Sequence, residues 1–209
     1  MSSQVPKYAM ILRVPLLLFS LFSVGTRIII DIISGPTPIH TLRFFTEQTN
    51  LMILIWTFLA LIWQDNDKYE KLTGLLKGAL TTYITVTFLV FHIIITKTYH
   101  PIGIDWWTSL FNHYINPILF IIDYFAFERV EYQWKWPIYW LIYPLFYLIF
   151  EVVWSATTGE FLYPFLNYDV LGIGGFFIWV GILFGLFLIL GFFYTIINRR
   201  ILHRLIHKT

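Results

Sequence analysis

The chain has no cysteine and little charge: Asp, Glu, Lys and Arg make up only 12% of its 209 residues. Without cysteine there are no disulfides, thiolate metal sites, iron–sulfur clusters or cysteine nucleophiles. The net charge is only +2, and no Lys/Arg run is interleaved with aromatics, so no nucleic-acid partner is expected. A soluble domain carries roughly 25% charged residues. Here apolar residues take their place, at 58% hydrophobic and 21% aromatic, with a mean hydropathy of +0.71. So few charges cannot cover so much apolar surface in water. The composition is that of an integral membrane protein, and most soluble enzyme folds are excluded.

A spanning helix needs roughly 20 predominantly apolar residues. Six segments qualify: Ala9–Ile33, Phe44–Trp63, Ala79–Thr96, Trp106–Phe125, Ile138–Trp154 and Leu171–Ile197. The connecting stretches are too short for a soluble domain, so residues 1–209 are expected to form one all-α, six-helix transmembrane domain. Lys and Arg favour the cytoplasmic side of short loops. With the N-terminus inside, ten of them fall on inner segments (Lys7, Lys68, Lys71, Lys77, Arg129, Lys135, Arg199, Arg200, Arg204 and Lys208). Only Arg43 and Lys97 fall on outer ones, so both termini are expected in the cytoplasm and the protein in the plasma membrane. The start of the first span loosely resembles a signal peptide ending at Ser23-Val24-Gly25. The apolar run continues to Ile33, which favours an uncleaved helix.

Ionisable groups inside a bilayer are costly and default to functional hypotheses. In this topology Arg27, Asp31, Glu47, His92, His113 and Glu151 all fall in the outer half of the membrane, which predicts a polar cavity there. Arg27 and Asp31 are four apart on one helix face, so they either neutralise each other or serve that cavity. Arg13 and Asp123 lie near the inner end, where Arg13 can snorkel. Two stretches carry more specific chemistry. Entering the second span, Thr46 and Asn50 share a face, although Thr46 can equally bond a backbone carbonyl. In the fourth span Asn112-His113-Tyr114-Ile115-Asn116-Pro117 predicts a bend, because Pro117 cannot donate to the carbonyl of His113. His113 there is either a general base or part of a packed polar joint. The aromatic outer loop 155–168 is either a lid or an interfacial segment, and Gly181 with Gly185 suggests close helix packing.

These features resemble the androgen-induced integral membrane proteins, or FAHFA hydrolases, and their six-span bacterial relatives. The resemblance rests on Arg43-Phe44-Phe45-Thr46, on Asn112-His113 with its following proline, and on Gly159 with Tyr163-Pro164-Phe165-Leu166. It implies an intramembrane threonine hydrolase that cleaves fatty acid esters of hydroxy fatty acids or similar lipids drawn from the bilayer. Thr46 is then the nucleophile and His113 the base, and no metal or other cofactor is required. A weak hydroxyl nucleophile needs a base within reach, and the oxyanion needs donors. Asn50, Asn112 and Asn116 are the candidate donors, and Arg43 or Arg27 the candidate carboxylate ligands. Two rival functions are a lipid-binding or small-molecule transport protein using the same cavity, and a haem protein ligated by His92 and His113.

Overall fold

The computed structural model describes residues 7–34, 40–64 and 67–202, and among these residues all regular structure is helical, with no strand. Five helical stretches are long and apolar enough to cross a bilayer: Ala9–Ser34, Phe45–Ile62, Lys68–Lys97, Trp136–Thr158 and Tyr168–Arg200. Within and between them run α1 (Ala9–Ser34), α2 (Phe45–Ile62), α3 (Leu75–Ile93), α4 (Ile104–Leu110), α5 (Asn116–Phe127), α6 (Trp136–Tyr139), α7 (Ile142–Thr158) and α8 (Tyr168–Ile197). Apolar runs of this length become helices because lipid offers the backbone no alternative hydrogen-bond partner. Their outward faces suit lipid: Ile33 is 76% exposed, Ile189 69% and Phe146 66%. Arg204 and Lys208, which contribute to the inner charge bias, lie outside the described residues.

The fourth predicted span is helical from 104 to 127 but is built in three pieces. α4 leads into a wide π turn, Phe111–Ile115, which leads into α5. Pro117 explains the interruption, since it has no N–H for the carbonyl of His113 and its ring crowds that carbonyl. Accommodating one extra residue in the turn relieves the crowding, and the amide of Asn116 reaches back to the carbonyl of Phe111. Such π turns gather at functional sites.

Inside the bundle, Phe45 sits among Tyr143, Tyr147, Tyr83 and Phe187, with ring centroids 5.1–6.3 Å from its own. Close approach is enforced at Gly78, where a Cβ would lie 2.4 Å from the Trp140 ring. The pair Gly181 and Gly185 differs from the expectation. A Cβ at either would meet nothing within 4 Å, so no part of the described chain packs there.

Two charge assignments also need correction. Arg13 does not snorkel; it is fully buried, with Nε donating to Asp123 at 2.7 Å and Nη2 to the Tyr69 hydroxyl at 2.6 Å. Lys77, placed by its charge on an inner loop, lies in the first turn of α3, is equally buried, and holds Asp123 at 2.7 Å. A charged partner on a neighbouring helix replaces water for both cations, and the Trp56 ring lies 5.3 Å from the Arg13 guanidinium and 5.0 Å from the Lys77 ammonium. The third span therefore begins one turn earlier than its apolar run indicates.

Candidate active site

The site is built around the N-terminus of α2, where the first amides have no partner within the helix. Phe44 is extended and lets the chain turn from the short helix Thr41–Arg43 into α2. The amide of Phe45 is then taken by two phenols, donating to the Tyr163 hydroxyl at 3.0 Å and the Tyr147 hydroxyl at 3.1 Å. Tyr147 in turn donates to the carbonyl of Arg43 at 2.9 Å. Thr46 follows in the first turn, 9% exposed, with its side chain beside the Tyr163 hydroxyl.

Tyr163 arrives from the loop after α7. Gly159, with φ of 74°, ends that helix in the left-handed region, and its amide closes on Ser155. Glu151 then fixes the returning strand of the loop by accepting the Leu162 amide at 3.0 Å. Tyr163 stacks on Phe165 at 5.1 Å and meets the edge of Phe44 at 6.0 Å. The loop thus folds back over the bundle as a cover. At its rim Arg43 pairs with Glu160 at 3.0 Å and lies 4.3 Å from the Trp154 ring.

His113 occupies the π turn and is 9% exposed. Its Nδ1 lies 2.9 Å from the carbonyl of Ser109, an acceptor only, so Nδ1 carries the proton and Nε2 keeps its lone pair. The ring lies flat on Phe91, centroids 3.5 Å apart at 11°. A neutral imidazole held in one tautomer and one plane is the form that a general base requires.

The three asparagines form a polar joint. Asn50 Nδ2 donates to the carbonyls of Thr46 and Asn112, at 2.9 and 3.0 Å. Asn116 Nδ2 donates to Asn50 Oδ1 at 3.0 Å and to Ser23 at 3.3 Å. Asn112 Nδ2 reaches both oxygens of Glu47, at 2.9 and 3.0 Å. Their donors are committed to tying α1, α2 and the π turn together, and none of the three lines a cavity adjoining Thr46. With the Asn116 amide on the Phe111 carbonyl, the carbonyl that Pro117 leaves without an amide is that of Asn112 rather than His113, and Asn50 supplies its donor.

Two cavities meet at Thr46. The larger, about 360 Å³, is lined by the polar groups of Arg27, Thr46, Glu47, Tyr99, His113 and Tyr163, with Phe44, Phe91 and Leu162 around them. The second is an apolar groove between α3, α7 and α8, lined by Val86, Val90, Leu148, Leu183 and Phe187 among others. Thr46 and Tyr163 border both. Nucleophile and base candidates therefore share one chamber, and Arg27 stands at its edge.

Other expected members lie elsewhere. Arg27 pairs with Asp105, while Asp31 accepts the amide and hydroxyl of Thr41 and fastens the end of α1 to the loop before α2. Arg27 and Asp31 therefore do not neutralise each other; their partners lie in the first turn of α4 and in the short helix before α2. Arg43 does not border the polar chamber, and His92 is exposed, stacked on Phe88 and 3.3 Å from the Tyr114 hydroxyl. Among the described residues no three His, Asp or Glu side chains converge as a metal site. Sequence reasoning assigns no chemical role to Tyr163 or Glu47, although both line the chamber. The Tyr163-Pro164-Phe165-Leu166 stretch is the available signal for the first. Comparison of the chain with protein-family models, curated proteins and solved structures gives no match.

Proposed function

We propose that this protein is an intramembrane threonine hydrolase that cleaves lipid esters, fatty acid esters of hydroxy fatty acids being the class that its motifs suggest. The observation that carries the reading is the position of Thr46, at the junction of an apolar groove and a polar chamber that also holds His113. An ester bond with hydrocarbon on one side and a polar end on the other suits that junction. In this reading His113 Nε2 takes the proton of the Thr46 hydroxyl, whose oxygen attacks the ester carbonyl. The tetrahedral intermediate collapses as the C–O bond to the alcohol breaks and His113 returns the proton to it. Water, activated by the same imidazole, then releases the fatty acid from Thr46. Arg27, at the chamber's edge, is the cation for a substrate carboxylate.

The same proposal includes the topology. The helical run from 104 to 127 forms a sixth crossing, both termini face the cytoplasm, and the polar chamber opens to the outer leaflet of the cell membrane. The inner bias of Lys and Arg supports this orientation. The resemblance to the androgen-induced integral membrane proteins supports the activity through Thr46, His113 and the Tyr163 loop.

The test is labelling of purified protein by a fluorophosphonate probe, together with hydrolysis of a fatty acid ester of a hydroxy fatty acid. Wild type is expected to label and hydrolyse, and Thr46→Ala and His113→Ala, both folded, to do neither. A well-folded wild type that does neither overturns the reading. Lipid binding that persists in Thr46→Ala without any hydrolysis by wild type points instead to a lipid-binding or transport protein.

A further inference from the structure

We propose that Tyr163 is a third catalytic residue, whose phenol donates a hydrogen bond to the oxyanion formed when Thr46 attacks an acyl ester. The proposal rests on the threonine-hydrolase reading and assigns to that site the donor it otherwise lacks. Acyl transfer needs a fixed donor where charge develops, and the asparagine amides nearest to Thr46 are engaged with protein acceptors.

The Tyr163 oxygen accepts the Phe45 amide at 3.0 Å. That bond uses a lone pair and leaves the phenolic hydrogen free to be donated. Accepting a hydrogen bond also polarises the O–H and strengthens it as a donor. The hydroxyl meets the side chains of both Tyr147 and Thr46, and Tyr163 borders both cavities that meet there. The phenol is held by its Phe165 stack and its Phe44 edge contact, so little reorganisation is needed at the moment of reaction. The positive end of α2 lies directly behind it, which favours negative charge at this point. Burial pushes the phenol up to about 12, so it keeps its proton at neutral pH.

The step balances without a further reactant. The Thr46 oxygen bonds to the carbonyl carbon as His113 takes the proton. The carbonyl π pair moves onto oxygen, and Tyr163 holds that oxygen by hydrogen bonding without transferring its proton. On collapse the pair returns, the bond to the alkoxy group breaks, and His113 protonates the departing alcohol.

The experiment compares wild type, Thr46→Ala, Tyr163→Phe and Tyr147→Phe on the p-nitrophenyl and octyl esters of decanoic acid, with thermal melts of each. Tyr163→Phe keeps the ring and its stacking and is expected to lower kcat about 10²–10³-fold on both esters, with KM within about threefold. Equal loss on good and poor leaving groups marks an oxyanion donor. Tyr147→Phe removes the other phenol on the Phe45 amide and is expected to cost kcat at least tenfold less. A Tyr163→Phe kcat within about threefold of wild type, beside an inactive Thr46→Ala, overturns the proposal and leaves the hydrolase reading intact. Equal losses in the two Tyr variants, with lowered melts, overturn it in favour of helix anchoring. Absence of Thr46-dependent hydrolysis in wild type overturns both.

If Tyr163→Phe does not fold, 3-fluorotyrosine at position 163 keeps every contact while making the phenol more acidic. The alkaline fall in kcat is then expected at lower pH than in wild type, and an unmoved profile overturns the proposal. The titratable and charged groups facing Tyr163 are Tyr147 and Tyr143 beside it, Thr46-flanking Glu47, Tyr99, His113 and Arg27 across the chamber, and Glu151 behind the loop.

Discussion

The buried charge cluster of Arg13, Lys77 and Asp123 gives the sharpest stability prediction. Asp123 is fully buried between Arg13 and Lys77, each 2.7 Å away and each fully buried. Asp123→Asn keeps the shape and one acceptor but removes the one carboxylate that, among the described residues, pairs with both cations. Each pair is worth about 4 kcal/mol at 4 Å and an effective dielectric of 20. Against that gain stands the desolvation of the carboxylate itself, several kcal/mol, which the mutation removes. The net expected loss is about 3–5 kcal/mol, the range for leaving a buried charge without its partner. For a chain of this size that corresponds to a midpoint lowered by about 6–20 °C. The assay is a thermal melt in detergent followed by size-exclusion fluorescence. A second variant, combining Arg13→Met, Lys77→Met and Asp123→Leu, is expected to recover only part of the loss, because apolar packing replaces the three charges while buried Glu128 loses Lys77 as its neighbouring cation. An Asp123→Asn midpoint within about 2 °C of wild type would refute the electrostatic argument.

Three further outcomes follow from the geometry. Pro117→Ala removes the ring and supplies an amide that can take the carbonyl of His113 in a regular helix, so the π turn is expected to close. Losing one residue of the turn rotates His113 by about 100° against α5, so Thr46 labelling by fluorophosphonate should fall at least tenfold while the melt is unchanged or higher. Gly78→Ala drives a methyl into the Trp140 ring, 2.4 Å away, and into Tyr132 at 2.8 Å. Overpacking of that kind costs about 1–3 kcal/mol, and Trp140→Leu in the same chain should recover most of it in the melt. Finally, a phenol raised from 10.0 to about 12 is only about 1% ionised at pH 10. Ester hydrolysis should therefore show no loss attributable to Tyr163 below that pH, with the donor lost only as pH rises through the raised value. Wild type and the Tyr163→Phe variant should share whatever alkaline limb appears between pH 8 and 10. A limb centred near 10 in wild type alone would contradict the burial argument.

The long apolar runs are readable because lipid permits them only one structure, and the helix limits follow them to within a few residues, except where a charge intrudes. Lys77 looks like a loop residue because sequence records the charge and not the carboxylate waiting on another helix. Arg13 misleads for the same reason, its partner lying 110 positions away. Arg27 and Asp31 show the reverse case. Their spacing puts them on one helix face, but near a helix end the unpaired amide of Thr41 and the carboxylate of Asp105 compete for them. The proline break is legible, yet its form is not: missing amide and crowded carbonyl are satisfied by a kink or by a π turn, and the side chains packed around it decide between them. Thr46 and His113 stand out by residue type and depth, and both border one chamber. Tyr163 escapes the same filter because a tyrosine in an aromatic loop between apolar helices is, by composition, an ordinary interfacial residue. What distinguishes it is that α2 begins without an internal partner for its first amide, and a phenol from a loop 118 positions away supplies one. The amino-acid sequence itself carries that demand. A helix whose first turn follows no Ser, Thr, Asp or Asn cap, as at Phe44, must draw its acceptor from elsewhere in the fold. When the first turn also holds a candidate nucleophile, whatever group answers the demand is placed beside the reacting oxygen.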